Sequence, residues 1–210
     1  MLTLDEAGLA RGVRALARRD PDLARLARQH GPPPLWARAP GFPTLIYIIL
    51  EQQVSLASAR AAFERLTAAG RGAVTPRRLL RFDDAELKAI GFSRQKAGYA
   101  RALATAILTG AFDLEALPGL DDPAARAELI RQKGIGPWTA DIYLLMALGR
   151  PDVWPHGDLA LAVAVQEVKG LAQRPTYAAL TEMSAAWRPW RAVAARMFWQ
   201  HYLRQRGRSD

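Results

Sequence analysis

Arg131-Gln-Lys-Gly-Ile-Gly-Pro-Trp-Thr-Ala-Asp141 reads as a glycine hairpin that opens straight into a helix. Glycine tolerates positive φ and puts no side chain between the backbone and a ligand. The amides of Gly134, Gly136 and the turn that follows are expected to point outward at a helix N-terminus, which makes an anion site by geometry and by dipole. Ile135 is expected to point inward and pin the turn. A Gly-x-Gly by itself fits an ordinary turn between two helices equally well. A second stretch adds weight: Trp154-Pro-His-Gly-Asp158-Leu-Ala-Leu161 places a carboxylate directly after a Pro- and Gly-containing loop. Asp158 there suits an N-cap, and a fixed carboxylate also suits the stabilisation of a cation. One residue can do both.

Outward from the hairpin the pattern is helical. Apolar residues recur at helical spacing over Asp5 to about Gln29, in one arginine-rich helix. The proline-rich segment from His30 to Pro43, which holds Trp36, reads as an ordered covering loop. Thr44–Leu50 is a strongly apolar helix. The turn Glu51-Gln-Gln-Val-Ser55 follows it, and a helix over Leu56–Ala69 comes next. Short helices start at Thr75-Pro76 and at the capping-box signal Asp83-Asp-Ala-Glu86. Ser93 caps a helix to about Thr109. Asp122-Pro123 caps another through Gln132, and the hairpin leads into Trp138–Leu148. Further helices are expected over Asp158–Lys169, Tyr177–Ala186 and, after Arg188-Pro189, to about Arg204. No alternating strand pattern stands out. The expected fold is all-α, a two-lobed helical bundle with a helix-hairpin-helix over 123–148 and a central cleft. Residues 1–210 then form one unit of two interleaved lobes.

Composition narrows the chemistry. The 210 residues include no cysteine, so disulfides and cysteine-ligated metal or iron–sulfur centres are excluded. The net charge is +9 with 20 acidic residues still present, which describes a folded domain with a basic surface that attracts polyanions. A basic protein from an arginine-using genome would share that composition. The N-terminus has no signal-peptide pattern. The longest apolar run, Leu45–Leu50, is far too short to span a bilayer. A cytoplasmic monomer, associated with the nucleoid if the source is prokaryotic, is the expectation.

Lys133-Gly-Ile-Gly-Pro-Trp-Thr-Ala-Asp141 together with Pro155-His-Gly-Asp158-Leu resembles the helix-hairpin-helix DNA glycosylases, most closely the alkylation-repair branch, 3-methyladenine DNA glycosylase II. Leu50-Glu-Gln-Gln-Val-Ser55, Ile90-Gly-Phe-Ser-Arg-Gln-Lys-Ala97 and Trp187-Arg-Pro-Trp-Arg191 leading to Phe198-Trp199 match further family segments in order, over about residues 40–204. The resemblance implies that Asp158 stabilises an oxocarbenium-like sugar and orients water. It implies a base pocket of Trp138, Trp199 and Trp154, with Tyr143 and Trp187 better read as core. It makes Gln53 the wedge that fills the gap left by a flipped base. It gives Lys133, Gly134, Gly136 and Thr139 to the DNA phosphates. Bifunctional relatives carry a nucleophilic lysine two positions past the second glycine, where this chain has Trp138. No Schiff base can form there, so the implied enzyme is monofunctional and leaves an abasic site.

The chain departs from the family pattern at two points. Ile142 stands where well-known members carry an aromatic residue. Gly157-Asp158 stands where they often have two adjacent acids. Arg94, Lys96 and Arg101 suit phosphate contacts or a solvated face, and His156 suits a loop residue bonded to backbone. The implied partner is double-stranded DNA with damaged bases, and not a membrane. No cofactor and no catalytic metal are required, and the resemblance allows a structural monovalent cation at the hairpin carbonyls. No extra N-terminal β domain is expected. The competing reading is a noncatalytic helix-hairpin-helix DNA-binding module. A lyase of oxidised bases is disfavoured by Trp138 and by the lack of cluster cysteines.

Overall fold

Helix starts in this chain are fixed by short polar side chains that satisfy the first free amides of each helix. Asp5, Ser55, Asp83, Ser93, Asp158 and Thr176 each accept a backbone N–H three residues on. At Asp83 the cap is reciprocal, because the Glu86 carboxylate accepts the Asp83 amide at 2.7 Å. A computed structural model describes residues 3–207. Among them the elements are α1 (Glu6–Arg19), α2 (Pro21–His30), α3 (Phe42–Glu51), α4 (Leu56–Ala69), α5 (Pro76–Leu79), α6 (Asp84–Ile90), α7 (Arg94–Leu108), α8 (Asp122–Ile130), α9 (Pro137–Met146), α10 (Leu159–Lys169), α11 (Tyr177–Ser184) and α12 (Arg191–Gln205). Among the described residues there is no strand, so the fold is all-α as expected.

The chain divides into two compact units. One takes the chain up to Ala37 and from Leu144 onward, and the other is Arg38–Tyr143. In the first unit α12 is the central helix. Ala192, Val193, Ala194, Ala195 and Phe198 are all fully buried, and the polar Arg196, Gln200 and His201 on the same helix are buried as well. Its small residues let neighbours come close. A Cβ placed on Gly12 of α1 would lie 2.8 Å from Val193 and 2.9 Å from the Trp190 ring. In the second unit α3 has the same role, with Leu45, Ile46, Ile48 and Ile49 fully buried and α4 and α7 packed on it.

Several boundaries differ from those the residue pattern predicts. The expected single helix over Asp5–Gln29 is two helices, broken at Asp20. The leucine spacing runs on across the break, but Asp20 accepts the Asp22 and Leu23 amides and Pro21 begins a new helix. Asp20 also accepts Lys169 Nζ at 2.8 Å and Trp187 Nε1 at 2.9 Å, so a tertiary site claims the residue. The cap of α8 is Asp121 rather than Asp122, and α8 stops at Ile130. Finally, α9 ends at Met146, short of Leu148. Trp187 and Tyr143 are core residues, as expected. The Tyr143 hydroxyl accepts the Gly41 amide at 2.9 Å, and burial pushes its phenol up.

Within the first unit His30 Nε2 lies 3.3 Å from His201 Nδ1. Burial pushes both imidazoles below the ordinary value. At His30 the neighbours His201 and Arg204 add to this, while at His201 the Glu167 carboxylate opposes it and Arg206 and Arg25 reinforce it. The unfolded chain therefore binds protons at higher pH than the folded one. The stability is complete above the usual histidine value of about 6.5 and is lost as pH falls from there through the depressed folded values. The midpoint of thermal unfolding should drop between about pH 7.5 and about pH 5.5, and His201→Gln should flatten that drop. An equal slope in the variant would remove the pair as its cause.

Candidate active site and nucleic-acid interface

The hairpin lies in the second unit, between α8 and α9. Ile135 donates its amide to the Gln132 carbonyl at 3.1 Å, and its side chain is buried as expected. Gly134 sits at φ 88°, and a Cβ there would fall on the Tyr99 ring. Its glycine is thus required by the turn and by α7. A Cβ placed on Gly136 would meet no atom within 4 Å, so the space beside that backbone is open. Lys133 and Gly136 lie toward the surface, and Trp138 beside them is at least partly accessible. The two helices are braced by Arg126, whose Nε is 2.6 Å from the Asp141 carboxylate. Asp141 is only 2% exposed. Its place in the hairpin motif carries no signal of this bracing role, because Arg126 lies a helix away.

The turn after α3 is tied to this hairpin by Gln52. Its Nε2 donates to the Gly134 carbonyl and to the Thr139 hydroxyl, both at 3.0 Å. Thr139, which the resemblance gives to the phosphates together with Lys133, Gly134 and Gly136, has its side chain turned inward, 2% exposed, with its hydroxyl accepting from Gln52. Gln53 is exposed and held at φ 57°, a left-handed conformation uncommon for a residue with a side chain. Its neighbour Val54 is 45% exposed. One glutamine of the Gln52-Gln53 pair therefore anchors the turn and the next is displayed by it.

Lys96 Nζ donates to the Leu50 carbonyl at 2.7 Å, where a positive charge suits the C-terminal end of α3. Burial pushes its ammonium below the ordinary value. Arg101 pairs with Asp84 at 2.9 Å. Of the three basic residues that suit phosphate contacts or a solvated face, only Arg94 is exposed, while Lys96 and Arg101 are half-buried and engaged.

Asp158 lies in the first unit. It is the N-cap of α10, with Oδ1 accepting the Leu161 amide at 2.8 Å and Trp199 Nε1 at 3.3 Å. The residue is 8% exposed. The loop before it is pinned to the start of α12 by Arg191, whose guanidinium holds the Asp152 carboxylate at 3.0 Å, and by the Ala192 amide, which donates to the Pro151 carbonyl. Trp199, from α12, is also 8% exposed. Trp154 packs into an aromatic cluster, with ring centres 5.1 Å from Trp187 and 6.4 Å from Phe198. His156 is exposed, its ring 6.1 Å from that of Tyr177. Trp36, in the proline-rich covering loop, meets Trp199 edge-on at 6.5 Å. Proline content marks that loop as ordered but says nothing of where its indole lands.

Among the described residues no cluster of His, Asp or Glu is placed to hold a metal ion, and no helix is long and apolar enough to cross a membrane. Two hairpin carbonyls already accept hydrogen bonds, Gly134 from Gln52 and Gln132 from Ile135.

A buried carboxylate fixed by an indole, in a chain that also carries a helix-hairpin-helix with an open glycine, is the equipment of a base-excision protein. Residues 46–191 match the model of the HhH-GPD superfamily base excision DNA repair proteins, and the chain belongs to that superfamily. Within it, 163 residues are 37% identical to a probable bifunctional transcriptional activator/DNA repair enzyme AlkA of Mycobacterium tuberculosis, covering 72% of this chain and 31% of that relative. A putative DNA-3-methyladenine glycosylase of Bacillus subtilis is 28% identical over 185 residues, which are 85% of this chain and 64% of the relative. The chain thus spans less than two thirds of the length of either. The solved Schizosaccharomyces pombe 3-methyladenine DNA glycosylase, in complex with abasic DNA, superposes with a TM-score of 0.84 at 26% identity, over 90% of this chain and 95% of that one.

The two hairpin glycines should respond differently to substitution. Gly134→Ala forces a side chain into the Tyr99 ring at a positive φ and should cost on the order of 2 kcal/mol in denaturant unfolding. Gly136→Ala should leave unfolding within about 0.5 kcal/mol while weakening binding to duplex DNA. Equal stability losses at the two positions would contradict this division.

Proposed function

We propose that this protein is a monofunctional DNA glycosylase that hydrolyses the N-glycosidic bond of alkylated purines, of the 3-methyladenine type, in duplex DNA and leaves an abasic site for base excision repair. The observation that carries the reading is Asp158. Its carboxylate is nearly buried and held in place by the Leu161 amide and the Trp199 indole, in a member of a base excision superfamily. The names of the similar proteins, DNA-3-methyladenine glycosylases among them, support the same substrate class.

Alkylation at N3 or N7 gives the purine a positive charge, so the base leaves with the bonding electrons as a neutral molecule. The sugar is left as an oxocarbenium-like cation. Asp158, fixed and poorly hydrated, stabilises that cation without reorganising. Water then adds to the anomeric carbon and its proton passes to Asp158 or to solvent. Trp138 has no amine, so no covalent bond to the sugar forms at that position. Trp199 and Trp138 are each proposed to offer an indole face to the extruded base, and Trp154 is held in its own aromatic cluster. Gln53 enters the duplex from its left-handed turn. Lys133 and the backbone of Gly134, Gly136 and Thr139 hold the phosphates. No cofactor is used. A structural cation at the hairpin belongs to this reading, but no step depends on it. The place of action is the compartment that holds the DNA, the bacterial cytoplasm and nucleoid for a prokaryotic source.

The competing noncatalytic module would use the same hairpin and keep Asp158 only as a cap. Asp158→Asn separates the two. Asparagine caps a helix about as well as aspartate, so folding and DNA binding should persist. Release of methylpurines from methylated duplex should fall roughly 100-fold or more, with strands from the wild-type reaction breaking only after alkali. Binding without base release by the wild type would establish the module instead, and strand breaks without alkali would mean a lyase.

A further inference from the structure

The outer face of α1 and α2 carries charge that none of the roles above uses. Leu9, Val13 and Leu16 bury one side of α1. Arg11, Arg14 and Arg18 stand exposed on the other, at positions i, i+3 and i+7, which share one helix face. α2 packs against α1 and adds the exposed Arg28. Between the two helices lies a groove of about 410 Å³, lined by Arg14, Arg18 and Arg28 and floored by Ala17, Ala24 and Ala27. The small alanine side chains leave it open.

Other arginines of these helices are engaged. Arg19 donates to the Arg188 carbonyl at 3.0 Å. Arg25 donates to the Val168 carbonyl at 2.7 Å and pairs with Asp22 at 2.9 Å. Among the described residues, Arg11, Arg14, Arg18 and Arg28 have no ion-pair or hydrogen-bond partner. The acids of this stretch are used elsewhere. Asp5 and Asp20 cap the two helices, Lys169 holds Asp20 and Asp22, and Glu6 sits in the first turn of α1. A helix dipole favours a cation in the last turn, which suits Arg18 and Arg28 singly. It does not account for Arg11 and Arg14, nor for like charges gathered round one groove, where their repulsion works against the fold.

The lining suits one kind of partner. A protein partner needs large apolar or aromatic anchors at the centre of its interface. The large exposed apolar residues of the described chain are Val54, Leu56, Leu108, Ile130, Leu159 and Tyr177, and none lies on α1 or α2. Guanidinium forks over an alanine floor suit phosphate and offer nothing that reads a base. Arg11 to Arg18 spans roughly 10 Å of helix, the rise of about three phosphates along one DNA strand. The row therefore fits a run of phosphates better than one small anion. Both helices also lie outside residues 46–191, the part that matches the base excision model.

We propose that the α1–α2 groove is a second contact for duplex DNA. It holds sugar-phosphate backbone through Arg11, Arg14, Arg18 and Arg28, independently of sequence and of damage, and adds to the phosphates taken at the hairpin. Such a contact keeps the protein on undamaged duplex while it moves along it. The groove needs DNA to be bound but no base to be released, so this role stands apart from the glycosylase reading.

The test measures binding of the full chain to undamaged duplex by fluorescence anisotropy over a salt series, wild type beside Arg14→Gln/Arg18→Gln/Arg28→Gln. Each lost phosphate contact should lower the slope of log affinity against log salt by about one, so the triple variant should lose up to about three and bind roughly tenfold or more weakly at low salt. Arg71→Gln/Arg77→Gln/Arg81→Gln removes the same charge from exposed positions of the second unit and should change both much less. A slope unchanged in the first triple variant, an equal change in the second, or a wild type that fails to bind duplex overturns the proposal. A positional readout is open because the chain has no cysteine. Arg18→Cys adds one thiol, which should exchange into a mixed disulfide tethered to a backbone phosphate of the duplex, while Arg77→Cys should not. No cross-link at Arg18→Cys, or equal cross-linking at the two positions, also overturns it. All these positions are exposed, so the substitutions should leave the thermal unfolding midpoint unchanged.

Discussion

The guanidinium of Arg196 is the fixed point of the first unit. It is 1% exposed and gives hydrogen bonds to three carbonyls on separate segments: Leu35 in the proline-rich loop, Leu145 near the end of α9, and Ala192 one turn back on α12. Burial pushes it down to about 10, so it stays charged at neutral pH. Removing a charge from water is costly unless donors and acceptors are matched, and charged donors make strong hydrogen bonds. The matching is what makes the geometry rigid. α12 therefore carries Trp199 in a defined place, and Trp36 follows Leu35 in a backbone conformation it would not choose alone.

The second unit solves a similar problem with a neutral group. The Gln52 amide joins the end of α3 to the hairpin with one bond to the Gly134 carbonyl and one to the Thr139 hydroxyl. A helix end and a glycine turn both leave backbone groups without partners. Side chains that satisfy those groups also fix the angle between the elements, so Gln53 is displayed from a turn that is itself anchored. Lys96 completes the anchoring at the Leu50 carbonyl. The displayed residue and the glycine hairpin are thus parts of one hydrogen-bonded assembly.

Helix ends also explain the dual character of Asp158. A carboxylate at an N-cap accepts backbone amides and faces the positive end of the helix dipole. Capping and charge stabilisation ask for the same geometry. Asp158 does cap α10, and that same placement is what equips it for the proposed chemistry.

Much of the local structure is legible in the residues. Capping residues, Pro at first turns and Gly at helix ends mark most boundaries because these effects act within one turn of helix. The all-helical class follows from the apolar spacing. The hairpin, the turn after α3 and the carboxylate are legible as motifs because their residue types are dictated by backbone geometry. Tertiary structure decided the rest. Asp20 breaks a continuous leucine pattern because Lys169 and Trp187 reach it from distant sequence. Thr139 turns inward because Gln52 is there to meet it, and Gly134 is a glycine because Tyr99 occupies the space a Cβ would need. Trp36 acquires its place from Arg196 and Gln200, which hold its neighbours Leu35 and Pro32 from 161 and 168 residues away. None of these partners leaves a periodicity or a spacing behind, since a hydrogen bond or a ring contact between remote segments depends on how helices pack rather than on what lies nearby in the chain.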